Sequence, residues 1–187
     1  MLRIVVLSMI ALLQLHSQSI DFSKGKWQSL GSWVASSEGN TTTVSLVKPS
    51  GEDFNLYFTK DYNLSNGTLS VQFKANSGKE DQGGGIVWGV EDEDNYLVAR
   101  FNPLENNFRF YTVTDGLRVE RESSDITLGS GWHTMTIKVY MWHYRLFLDG
   151  KKLLDFTLDS KLQKAGGVGV WTKADALSSF KNFAIGK

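Results

Sequence analysis

The chain has 187 residues, twenty basic and twenty acidic side chains, and no cysteine. Balanced charge argues against nucleic acid or an anionic membrane surface as the main partner, since either favours a basic excess or stripe. The lack of cysteine excludes a disulfide framework, a thiolate zinc site and a thiol nucleophile. A single domain of this length buries about 70% of its unfolded surface and needs no metal to fold.

In chain order, Arg3 precedes an apolar run from Ile4 to Leu13 broken only by Ser8, and a more polar stretch from Gln14 to Ser19 follows. This is the charge, apolar core and cleavage region of a secretory signal peptide, and it is short for a bilayer span. An uncleaved anchor is the competing reading. Ser17 and Ser19 supply the small residues a signal peptidase reads, so residues 1–19 are expected to be removed and residues 20–187 to form one domain. The product is then secreted or periplasmic, with no membrane partner after cleavage.

Ile20 to Trp33 reads as a terminal strand and loops carrying Phe22, Trp27 and Trp33. Val44 to Val47 and Phe54 to Thr59 are short strands separated by the turn Pro49-Ser50-Gly51, and Asn66-Gly67 is the favoured pair for a two-residue hairpin. Thr68 to Ala75 alternates, with Leu69, Val71, Phe73 and Ala75 on one face. Gly84 to Val90 and Asn95 to Phe101 flank the acidic turn Glu91-Asp92-Glu93-Asp94 and form a central hairpin. Period-two alternation puts Ile86, Trp88 and Val90 on one face of the first strand, and Tyr96, Val98 and Arg100 on one face of the second.

Asn107 to Val113 and Leu117 to Glu122 join through Asp115-Gly116; Trp132 to Tyr140, Tyr144 to Asp149 and Lys152 to Leu158 follow, and Gly166 to Thr172 and Ser178 to Ile185 close the chain. No window shows a helical period. Roughly a dozen strands with a turn about every ten residues predict an all-β, two-sheet antiparallel jelly-roll sandwich.

Several stretches resemble the concanavalin A-like lectin/glucanase superfamily: Gly84-Gly85-Ile86-Val87-Trp88, Asp94-Asn95-Tyr96, Arg100 with Asn102-Pro103-Leu104-Glu105, Gly131-Trp132-His133-Thr134, Leu148-Asp149-Gly150, and Val168 to Asp175. Within it they are most similar to the secreted bacterial family known as domain of unknown function 1080, also named for 3-keto-disaccharide hydrolases. The resemblance implies a jelly roll whose concave sheet handles carbohydrate. Two departures stand out. Gly89 occupies a position where such chains often carry Arg, and the tip Met141-Trp142-His143 replaces a small polar turn. An apolar tip calls for cover by a neighbouring loop, a ligand or a second chain.

A glycosidase needs two carboxylates held across the scissile bond. The acids at residues 91–94 sit in a turn and read as a solvated hairpin, although their oxygens would also permit calcium, which no EF-hand spacing specifies. Asp175 and Glu105 are the remaining catalytic candidates; turn capping is the ordinary role of Asp175, and Glu105 is otherwise either a solvated acid or the partner of Arg100. His133 and His143 lack partners at metal-ligand spacing. Trp88, Arg100, Arg109, Tyr111, Trp171 and Lys173 lie on strands that the resemblance places in or beside the concave sheet. Arg109 shares a face with Tyr111, and Trp171 with Lys173. A sugar receptor wants a flat aromatic beside fixed donors, and these six supply both; the competing reading makes Trp88 and Trp171 core residues and leaves the Arg and Lys solvated at the rim. The expected function is therefore carbohydrate binding, with a glycoside hydrolase and a protein-interaction module as alternatives. Oligomeric state is not legible.

Overall fold

The computed structural model describes residues 17–129 and 131–186. Most of the expected signal peptide, including the apolar run and His16, lies outside these residues. Among the described residues there are fifteen strands: β1 (Ser17–Ile20), β2 (Trp27–Leu30), β3 (Ser32–Glu38), β4 (Thr41–Lys48), β5 (Phe54–Thr59), β6 (Gly67–Ser77), β7 (Gly84–Asp92), β8 (Asn95–Asn102), β9 (Asn107–Thr114), β10 (Leu117–Asp125), β11 (His133–Tyr140), β12 (His143–Leu148), β13 (Lys151–Thr157), β14 (Gly167–Lys173) and β15 (Leu177–Gly186). A single 3-10 turn spans Ser160–Leu162.

The strands form two antiparallel sheets packed as a sandwich. One has the order β13-β12-β11-β6-β15-β4-β3, with β1 also paired to β15; the other has the order β10-β9-β8-β7-β14-β5-β2. Alternation in the sequence decides which side chains meet between them. Leu69, Val71 and Phe73 of β6 and Ile137 and Val139 of β11 pack against Ile86 and Trp88 of β7, Leu97, Ala99 and Phe101 of β8 and Phe108 and Phe110 of β9. Gly84 faces the same layer, where a Cβ would run into the Phe73 ring. Burying a large apolar side chain contributes about 1.5 to 3 kcal/mol, so this layer dominates the stability of the fold.

Two sequence expectations change. Asn66-Gly67 is not a hairpin: β5 and β6 belong to different sheets, so the segment crosses the sandwich. The local pair preference fits a turn, but the apolar faces of β5 and β6 find better partners in opposite sheets. Val90 leaves the face of Ile86 and Trp88 because Gly89 sits at φ +59 and the register shifts there. Against β14 the bulge inserts one residue and so reverses the side chains that follow, and against β8 it inserts two. Gly89 tolerates this conformation without a Cβ penalty, and a Cβ would lie 2.6 Å from the Lys164 carbonyl oxygen. The departure at Gly89 is thus a backbone requirement.

Three hairpins turn on two residues with positive φ: Asp115-Gly116, Asp149-Gly150 and Met141-Trp142. The first two have the chemistry such turns prefer. The third, with φ 45 and 74 at two bulky residues, does not.

Candidate functional site

The second sheet carries its own apolar cluster on the face turned away from the sandwich, made of Leu56, Phe58, Val87, Val90, Tyr96, Val98, Tyr111, Val113 and Trp171. Cross-strand register aligns Leu56, Trp171, Gly85, Arg100 and Arg109 across this open face. Gly85 lies between Trp171 and Arg100 in that row. A Cβ there would lie 3.0 Å from Val98 Cγ2 and 2.7 Å from the Ala99 carbonyl oxygen. The Trp171 Nε1–H donates to the Tyr96 hydroxyl at 3.1 Å, within the buried layer.

Trp171 is 0% exposed and Tyr111 is buried as well. Arg118 of β10 covers them. Its guanidinium stands 4.5 Å from the centre of the Tyr111 ring, 5.4 Å from Phe54 and 5.8 Å from Trp171. The cation thus stands over the aromatic surface on which a sugar ring would stack. Sequence reasoning missed Arg118, although its pairing with Val113 shows that it shares this face.

Trp88 does not belong to the open face. It is buried between the sheets, stacked on Phe110 at 5.7 Å and tilted against Tyr144 at 5.9 Å. Alternation with Ile86 puts it there, so a ligand on the open face cannot reach it.

The polar half of the face is a network. Arg100, 2% exposed, donates from Nη2 to Glu105 Oε2 at 2.8 Å and to the Tyr111 hydroxyl at 3.3 Å. Its Nε and Nη1 are buried without a partner among the described residues. Arg109 Nη1 reaches the same hydroxyl at 3.5 Å and lies 3.6 Å from Glu105 and 3.3 Å from Glu120. Asn107 Nδ2 donates to Glu105 Oε2 at 3.1 Å. The Arg109 and Glu105 side chains are 32% and 39% exposed, so this pair is the solvent-facing part of the network.

Burial opposes ionisation of Glu105, but the Asn107 hydrogen bond and the charges of Arg100, Arg109 and Lys173 outweigh it and hold the carboxyl below its ordinary range. Glu105 therefore stays a carboxylate at neutral pH, suited to accepting hydrogen bonds and unsuited to the general-acid role of a glycosidase. The hydrogen bond that Arg109 donates to the Tyr111 hydroxyl, above all, keeps its guanidinium above its usual value.

Asp175 works elsewhere. Its Oδ2 accepts from the Lys79 N–H at 2.6 Å, and its Oδ1 accepts from the Glu80 and Asp81 N–H groups at 3.1 and 3.0 Å. These bonds depress its pKa and clamp the loop before β7. A carboxylate engaged by three backbone donors is a loop cap, so the catalytic reading of Asp175 has no geometric support.

In the acidic hairpin, Asp92 Oδ1 accepts from the Asp94 N–H at 2.9 Å and from Asn95 Nδ2 at 3.0 Å, so it shapes its own turn. Among the described residues no three His, Asp or Glu side chains gather as a metal site. His133 ties β11 to neighbouring loops through Asp149 at 2.7 Å and the Gly129 carbonyl at 2.8 Å.

By sequence the chain matches no family model and no curated protein. Among solved structures it is similar to the carbohydrate-binding module CBM66 from Bacillus subtilis, with a TM-score of 0.71 and 16% identity over 84% of this chain and 92% of that one. A lichenase derived from a mouse hindgut metagenome aligns with TM-score 0.62 and 11% identity over 91% and 98% of the two chains. The Bacillus licheniformis β-glucanase aligns with TM-score 0.59 and 14% identity over 91% and 97%. The fold is a concanavalin A-like jelly roll. At these identities the likeness speaks for the architecture alone.

Proposed function

We propose that this jelly roll is an exported saccharide-binding module that holds its ligand on the polar half of the open face. The observation that carries this reading is the Glu105–Arg109 pair. A carboxylate and a guanidinium, each about a third exposed, are fixed 3.6 Å apart above buried Arg100 and Tyr111. Adjacent sugar hydroxyls are donors and acceptors at a similar spacing, so a preset acceptor beside a preset donor matches a vicinal diol. Lys173, whose charge is felt at Glu105, borders the pair. A carbohydrate-binding module and a β-glucanase share the fold, which supports this choice of ligand class. The finer likeness to the 1080 family and to 3-keto-disaccharide hydrolysis rests on the sequence motifs alone. Binding is favoured over hydrolysis because Glu105 is held ionised.

Calorimetry against a panel of neutral oligosaccharides tests the reading. At least one is expected to bind, and Glu105→Gln is expected to weaken it tenfold or more, since a charge-assisted hydrogen bond contributes about 1.5 to 3 kcal/mol. A panel without binders, or full affinity in the variant, would overturn the proposal. Product release from any panel member that stops in Glu105→Gln would instead establish the hydrolase.

A further inference from the structure

The opposite sheet presents a second groove, on its outer face beside the Met141-Trp142 tip. It has a volume of about 720 Å³ and is lined by Ser65, Asn66, Thr68, Lys138, Tyr140 and Arg145, among others. Ile137, Val139, Tyr144 and Leu146 point into the sandwich, so alternation sends Lys138, Tyr140 and Arg145 outward.

The charges are arranged at a cost. Lys138 and Arg145 are direct cross-strand partners, and like charges so placed repel. Neither forms an ion pair among the described residues. Asp155 faces Arg145 in register, yet its oxygens are taken by His143 Nε2 at 2.7 Å and by Lys152. The groove therefore holds two cations side by side with no carboxylate paired to either, Lys138 resting 5.1 Å from the centre of the Phe147 ring.

Its walls are specific in kind. Tyr140, 70% exposed, offers an aromatic ring next to the hydroxyls and amide of Ser65, Thr68 and Asn66. The tip is pinned rather than loose: the Met141 N–H donates to Asn66 Oδ1 at 2.9 Å, and the Trp142 carbonyl accepts from the Leu158 N–H at 3.0 Å. Those bonds hold two bulky residues in left-handed backbone geometry, which orients Tyr140 and His143 at the ends of the turn.

We infer that this groove is a binding site for an acidic saccharide unit, its carboxylate or sulfate seated between Lys138 and Arg145 and its ring against Tyr140. An anion there relieves the cross-strand repulsion, and hydroxyl and amide groups meet the rest of the ring. A volume of this size suits one or two sugar units. The site is separate from the Glu105 face and does not depend on it.

The test is affinity electrophoresis and calorimetry of the full chain with alginate, dextran sulfate, neutral dextran and phosphatidylglycerol vesicles. Alginate or dextran sulfate is expected to bind, more weakly as salt rises, and neutral dextran is not expected to bind at this site. Binding by alginate alone assigns a carboxylate ligand, and by dextran sulfate alone a sulfate ligand. Lys138→Gln combined with Arg145→Gln should weaken that binding at least tenfold, and Tyr140→Ser should weaken it severalfold. The charge-matched control Lys26→Gln with Lys79→Gln should retain it. All of these residues are exposed, and a thermal melt checks the fold of each variant. The proposal is overturned if neither anionic polymer binds, if the Lys138/Arg145 variant binds as well as the parent, or if the control loses as much affinity. Vesicle binding that is lost in Trp142→Ser without any polymer binding would identify a bilayer contact and equally overturn it.

Discussion

Arg118 shows how a single side chain changes the character of a face. Without it, Phe54, Tyr111 and Trp171 would form an open aromatic floor; with it, they are sealed under a cation. Arg118→Ala is expected to lower stability by about 0.5 to 1 kcal/mol, the worth of an exposed cation–π contact. It should also make Trp171 accessible to acrylamide. Unchanged fluorescence quenching would show that other groups close the floor. Arg100 illustrates the converse: its charge is buried, and Glu105 and Tyr111 supply acceptors to its Nη2. The Arg100–Glu105 contact and the burial of Trp171 were each one of two readings left open by the sequence, because period-two alternation assigns a face and cannot say what covers it.

At the scale of elements, the β11–β12 hairpin departs from its own local chemistry. Two-residue turns with both φ values positive favour Asn-Gly, and Met141-Trp142 fills one with two large residues. Each non-glycine residue in this conformation costs about 1 to 2 kcal/mol. Replacing Met141-Trp142 by Asn-Gly is therefore expected to raise the melting temperature, with a gain on the order of 1 kcal/mol. A lower melting temperature would mean that the packing of Trp142 near Leu64 and Tyr144 outweighs the backbone strain. The central hairpin behaves more simply, since acid, turn and strand propensities agree there. Natural sequences break local rules most often where a surface is put to use, and this hairpin borders the second groove.

For the whole molecule, stability on the acid side of neutrality should depend on pH in one direction. Asp21, Asp92, Asp155, Asp175 and Glu105 all have depressed pKa values in the fold. Hydrogen bonds from Ser23, Asn95, Lys152 and Lys79 are the largest causes for the four aspartates, in that order. A carboxyl with a lower pKa folded than unfolded binds more protons when unfolded, so its contribution is complete well above about pH 4 and is lost as pH falls through that value. Melting curves should reach a plateau above roughly pH 5 and fall steadily below pH 4. A melting temperature that holds constant down to pH 2 would contradict the hydrogen-bonded carboxylates described above.

The amino-acid sequence alone determined the all-β class, most strand positions, the Asp-Gly hairpins and the pairing of faces such as Arg109 with Tyr111, because alternation and turn chemistry act over a few residues. Which sheet each strand joins, the inward turn of Trp88, the bulge at Gly89, the loop-capping role of Asp175 and the cation over Trp171 were decided only by tertiary structure. They depend on contacts between residues tens of positions apart in the chain, such as Lys79 with Asp175 or Arg118 with Trp171, which no local pattern encodes.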